Sequence, residues 1–203
     1  MIEADIKIDE SDIKNIRERL GQFGSKTPNV LSRAINRTVT SIKTELKREA
    51  AKQYRVTQRD VSNTLVDRKA TPKELQGYVK STGAVIPLLK FGVSPMRTVT
   101  YKDSGEPNPS HYSAAVFKRG GLKPLIRDPK AFVAIMPNGH GGVFERTGKK
   151  SKNGKEIIAQ RFGPSVPQMI KNKEVISIIQ NKAESTLHKR INAEINHILQ
   201  GGN

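Results

Sequence analysis

Side chains able to do chemistry are few in this sequence, and they do not gather. The four histidines are His111, His140, His188 and His197. None stands at metal-ligand spacing from another or from a carboxylate, and His188 and His197 lie too far apart for an i, i+4 pair on one helix face. The stretch RTGKKS, residues 146–151, looks like the end of a phosphate-binding loop. That pattern needs a glycine five residues before Gly148, where Val143 stands, and a hydroxyl after Lys149, where Lys150 stands. The glycines of NGHGG, 138–142, suit a tight turn and lack the strand-to-helix setting of a dinucleotide site. No serine or threonine occupies a nucleophile-elbow motif. A magnesium-dependent nuclease needs clustered acids, whereas Asp60, Asp67, Asp103 and Asp128 are scattered. With no cysteine there is no thiol or disulfide chemistry. The expectation is a protein that is not an enzyme and uses no metal and no cofactor.

Positive charge is what the sequence does offer. It carries 36 Lys and Arg against 19 Asp and Glu, a formal net charge of +17 over 203 residues. The excess is uneven. Residues 26–56 hold eight basic and two acidic groups, and residues 148–173 hold seven and one, while residues 1–25 are net acidic and the last thirty are neutral. A polyanion near the two basic segments is expected; a solvated cationic surface is the plainer alternative. Apolar content of 35%, aromatic content of 5% and a mean hydropathy of -0.56 are low for a self-sufficient globule, so burial is expected to be completed against partners. No run approaches the roughly 18 apolar residues of a membrane span. The N-terminus MIEADIKIDESD is acidic and is not read as a secretory signal, which points to the cytosol unless an assembly carries the protein elsewhere.

The elements that must position these cations follow from periodicity. IEADIKI alternates apolar and charged residues as a half-buried strand does. Ser11 is placed to cap a helix with Ile13, Ile16 and Leu20 on one face, ending at Gly21. From Thr27-Pro28 to about Tyr54, Leu31, Ile35, Val39, Ile42 and Leu46 make one apolar stripe. Arg33, Arg37, Lys43, Lys47 and Arg48 fall on the opposite face, either solvated or turned to a polyanion. Thr57 and Asp60 suggest a capped short helix to about Leu65. LQGYVKST, RTVTYK, SAAVFKR and AFVAIM then read as short strands, and DSGEPNPSH, 103–111, as a loop. VFERTG and KEIIAQRF flank the tip GKKSKNGK, with Asn153-Gly154 as the turn dipeptide, so two strands are expected to be joined by a long basic loop. Around it stand Arg146, Lys149, Lys150, Lys152, Lys155 and Arg161. Gly163, Pro164 and Pro167 make a corner that sends the chain out extended and then into a helix from about Val166 to Leu199, on the order of 50 Å long. Its apolar positions are Val175, Ile178, Ile179, Ala183, Leu187, Ile191, Ile195 and Ile198. The fold class expected is α+β: a small, mostly antiparallel sheet with a long β-hairpin, packed against two long amphipathic helices. The organisation expected is one domain in three segments: a strand and helices over 1–65, a β-rich centre over 66–165, and the closing helix over 166–199.

Two segments carry a family resemblance: PNVLSRAINRTVTSIKTELKREAAKQYRVTQRDV, 28–61, and FVAIMPNGHGGVFERTGKK with IAQRFGPSVPQMI, within 132–170. Together they resemble the phage minor tail protein Z family, also called tail-completion proteins. The resemblance is specific at Ala34 to Thr38, Tyr54 to Thr57, Gly142 to Gly148 and Gly163 to Met169, and generic over about 66–130. It implies a non-enzymatic virion component that completes the head-proximal end of the tail as part of a sixfold ring, supports head–tail joining and lets DNA pass. The partners implied are other copies of the chain, tail terminator, tail tube or head–tail connector proteins, and phage DNA held without sequence preference, with no membrane. The protein would be assembled in the host cytoplasm. No catalytic residue is carried over. On that reading the lysine-bearing tip faces passing DNA or docks on an acidic neighbour, and the Gly-Pro corner positions the hairpin or meets another subunit. The alternative, a free-standing nucleic-acid-binding module, rests on charge alone, because helix-turn-helix spacing, a zinc pattern and paired stacking aromatics are all missing.

Overall fold

Helix α2 (Thr27–Gln53) is the element on which the first half of the chain is built. Its stripe is buried as the spacing predicts, with Leu31, Ile35, Val39 and Ile42 fully enclosed. The structure, a computed structural model, describes residues 2–6, 8–95, 99–100, 111–125 and 131–201. These form two compact units. One comprises Met1–Ala50, Gln58–Gly83 and Pro167–Asn203; the other comprises Ala51–Thr57 and Ala84–Val166.

In the first unit, β1 (Ile2–Ile6), β2 (Leu65–Arg68) and β3 (Gly77–Ser81) form an antiparallel sheet with β3 in the centre. Val79 points to the buried side, and β3 lies so close to α2 that a Cβ at Gly77 would come within 2.9 Å of both Ile35 and Val39. Against another side of α2 pack α1 (Glu10–Leu20) and α5 (Lys173–Leu199), where Ile16, Leu20, Val30, Leu31, Ala34, Ile191, Ile195 and Ile198 form one apolar cluster. Each fully buried Leu or Ile contributes about 2 kcal/mol of hydrophobic stabilisation. The short α3 (Gln58–Ser62) leads into β2, and α4 (Val166–Ile170) precedes α5.

Three expectations are corrected here. Ser11 does not cap α1; Asp9 occupies that position, without a side-chain capping bond, and Ser11 sits inside the first turn. The closing helix is two helices. Asn172 interrupts it, its side chain accepting the Glu174 N–H at 3.0 Å, which starts α5 afresh and leaves it 27 residues long, about 40 Å. Ile178 is exposed, since it stands a quarter turn off the line from Val175 to Ile179, while Glu194 is buried in the stripe.

The second unit is a set of small sheets. β9 (Ala131–Ile135), β10 (Gly141–Lys150) and β11 (Glu156–Gln160) run antiparallel, and β6 (Val99–Thr100) joins the far edge in parallel with β9. β12 (Phe162–Ser165) pairs with β4 (Val85–Pro87), and β5 (Val93–Ser94), β7 (Ser113–Ala114) and β8 (Lys123–Pro124) form a third sheet. Tyr54, just past α2, stacks against Phe117 with ring centroids 4.8 Å apart. Of the loop expected over 103–111, only His111 is described.

Candidate functional site

The base of the β10–β11 hairpin is apolar. Val143 and Phe144 are buried, and Phe132 on β9 approaches Phe144 with centroids 6.1 Å apart. Past Glu145 the environment changes, and every residue from Arg146 to Ile158 is exposed. The regular ladder ends at the Arg146↔Ile158 pair and resumes at Lys150↔Glu156, so β10 carries two extra residues. Such a bulge bends the strand and re-aims the residues beyond it. Thr147 and Gly148 make it. The Thr147 hydroxyl donates to the Ile157 carbonyl at 2.8 Å and accepts the Lys149 N–H at 3.3 Å, while Gly148 takes a φ of +71°, a region costly for residues bearing a Cβ. The tip is tighter than the long loop expected. Lys149 and Lys150 are in β10, and the turn is only 151–155, closed by bonds from Ser151 N–H to Lys155 O and from Gly154 N–H to Ser151 O.

The six cations of this hairpin divide into two kinds. Arg146 is ion-paired with Glu156 and lies 5.7 Å from the Phe132 ring centre, and Arg161 pairs with Glu145 at 2.6 Å. Both arginines are committed to bracing the neck. Lys149, Lys150, Lys152 and Lys155 are exposed and, among the described residues, have no side-chain partner. An unpaired lysine is a mobile point charge that suits a sliding or adaptable polyanion better than fixed recognition.

The helix cations are distributed rather than aligned on one free face. Arg37 and Arg33 converge on the buried Glu194 of α5 at 3.2 and 4.0 Å, Lys43 bonds Asp67 of β2 at 2.6 Å, and Arg48 approaches Glu45 at 3.9 Å. Lys47 is half-buried and has no side-chain partner among the described residues. The corner residues have packing to do. A Cβ at Gly163 would come within 2.3 Å of the Phe91 ring, Pro164 is half-buried within β12, and Pro167 is buried in the first turn of α4.

Two residues with structural consequence went unread in the sequence. Asn36 exchanges two hydrogen bonds with the backbone of Ala70, at 2.9 and 2.7 Å, and so ties α2 to the segment after β2. Glu194 anchors two arginines of α2 from the far end of the chain. The signal for Asn36 is its place in AINRT, where Ala34 is core, Arg37 meets Glu194 and Thr38 donates to the Ala34 carbonyl at 2.9 Å. For Glu194 the signal is an acid at a position that helical spacing assigns to the apolar stripe.

Among the described residues no group of three or more His, Asp or Glu is placed to hold a metal ion, and no helix is long and apolar enough to cross a membrane. No curated protein and no solved structure matches the chain. The family described as prophage minor tail protein Z (GPZ) matches residues 10–201. The Asn36 clamp, the Tyr54 stack, the Thr147 bulge and the Gly163 contact all lie within the matched residues. The chain thus belongs to the prophage minor tail protein Z family, the structural minor proteins of phage tails.

Proposed function

We propose that this minor tail protein completes the head-proximal end of the tail as one subunit of a sixfold ring through which DNA passes, and that the hairpin tip faces that DNA. The reading is supported by family membership over residues 10–201 together with the division of labour in the hairpin, in which arginines brace the neck and lysines at the tip stay unpaired. Phosphate neutralisation by lysines releases counterions whatever the base sequence, which is what a passage needs. Six copies at +17 amount to about +100, of which only the bore-facing part acts on the DNA. Tail tube, terminator or connector proteins would contact the outside of the ring.

Replacing Lys149, Lys150, Lys152 and Lys155 together by Ser tests the tip. Folding stays intact, because exposed unpaired charges add little to stability. Tails then assemble and join heads, and infectivity falls. Normal infectivity rejects a DNA-facing tip, and failure of tails to join heads assigns the lysines to docking on a protein neighbour instead.

A further inference from the structure

A second cationic feature lies away from the hairpin. Along α2, between it and α5, runs an open groove of about 610 Å³. Its charged lining is Arg37 and Arg48 from α2, Lys69 just after β2, and Lys182 and Arg190 from α5, against the single acid Glu45. Arg37 is tied to Glu194 and Arg48 lies near Glu45, but Lys69, Lys182 and Arg190 are exposed and have no side-chain partner among the described residues. Three unpaired cations, one from the segment after β2 and two from α5, therefore line the same groove. An anion in the groove would find several charged donors free to meet it.

The rest of the lining indicates which anion. None of the lining side chains is aliphatic or aromatic. A protein segment docking here would lack the buried apolar anchors on which protein interfaces depend, and a single strand would lack aromatic faces to stack on. Along the floor, Thr40 donates to the Asn36 carbonyl at 3.0 Å and Thr44 to the Thr40 carbonyl at 3.1 Å, so those hydroxyl protons are spent within the helix. The guanidinium and ammonium groups remain as the charged donors. From Arg37 to Arg48 the helix rises about 16 Å, long enough to meet successive phosphates along one strand of a duplex.

We propose that the α2–α5 groove is a second phosphate-tracking site, holding the backbone of double-stranded DNA without reading its bases. It deepens the reading that this tail protein conducts DNA, adding a rigid, arginine-bearing contact to the flexible lysines of the hairpin.

The test uses the full chain, a short random-sequence DNA duplex, and binding measured over a series of salt concentrations. The K69Q/K182Q/R190Q variant should keep its circular dichroism and unfolding midpoint. Its plot of log affinity against log salt should be shallower than the parent's by about 2.7, at roughly 0.9 for each phosphate no longer neutralised. A charge-matched variant at exposed sites outside the groove, K14Q/K73Q/K171Q, should keep the parent slope. The proposal is overturned if both triple variants shift equally, if polyglutamate binds the parent as tightly as the duplex does, or if the parent ignores duplex at low salt. It is also overturned if the groove variant binds like the parent while the four-lysine hairpin variant does not; that result leaves the ring and its DNA-facing tip standing. Recovery of the protein from purified tails judges the tail reading independently of all of these.

Discussion

Asn36, Glu194 and Gly163 show how single residues hold this fold. The Asn36 amide donates to the carbonyl and accepts the N–H of a single residue, Ala70. Asn36→Ala should lower unfolding free energy by about 2 kcal/mol, because two backbone groups lose their partner; an unchanged denaturation midpoint would mean that water replaces the amide at no cost. Glu194 is buried, whereas its arginine partners are more than two-fifths exposed at the side chain. Removing those partners is therefore the damaging direction. In the R33A/R37A variant the carboxylate stays buried without a counter-charge, at a cost of about 3 kcal/mol, whereas shortening the carboxylate itself frees two arginines to enter water. Comparing the chemical denaturation of R33A/R37A with that of E194A checks the asymmetry. Gly163 answers to sterics alone. Gly163→Ala should cost about 1–3 kcal/mol by pushing on the Phe91 ring, and the same change made in an F91A background should cost less than it does in the parent.

At the scale of elements, α2 is flanked by the sheet on one side and by α1 and α5 on another, so its apolar surface is wider than a single stripe. Ile35 is fully buried and touches the sheet at Gly77. Ile35→Asp should therefore abolish soluble protein, since an unpaired carboxylate would be buried between helix and strand. Recovery of normal soluble yield would mean that this face is not core. The hairpin shows the opposite economy. Its neck is held by two arginine–carboxylate pairs and a threonine-spanned bulge, while its tip is left without side-chain restraint among the described residues. A stiff stem with a compliant end can place charge at a set distance and still let the last side chains move.

At the scale of the whole molecule, the proposed ring rests on many copies of a cationic chain arranged around a passage. Self-repulsion between such copies is large at low salt and screened within about 10 Å at 0.1 M ionic strength. Assembly of the purified protein should thus respond to salt, with sixfold particles seen by electron microscopy when salt is raised or duplex DNA is added. Particles of another symmetry would correct the subunit number, and a monomer under all conditions, in the presence of tail proteins, would remove the ring. In intact tails a label on this chain should appear at the head-proximal end.

Much of this was written in the sequence. The apolar period of α2, the turn dipeptide Asn153-Gly154 and the prolines of the corner act through neighbours a few residues away, and such local rules are readable in one dimension. Family membership was readable as well, from the residues at Ala34–Thr38, Gly142–Gly148 and Gly163–Met169. The fate of the charges was not. Arg37 finds Glu194, Lys43 finds Asp67 and Arg161 finds Glu145 only once distant segments meet, so which cations are spent and which stay available was decided by tertiary structure. The same holds for the groove, whose free cations are Lys69 after β2 and Lys182 and Arg190 of α5. Composition determined that this protein is strongly basic; packing decided where that charge is left unpaired.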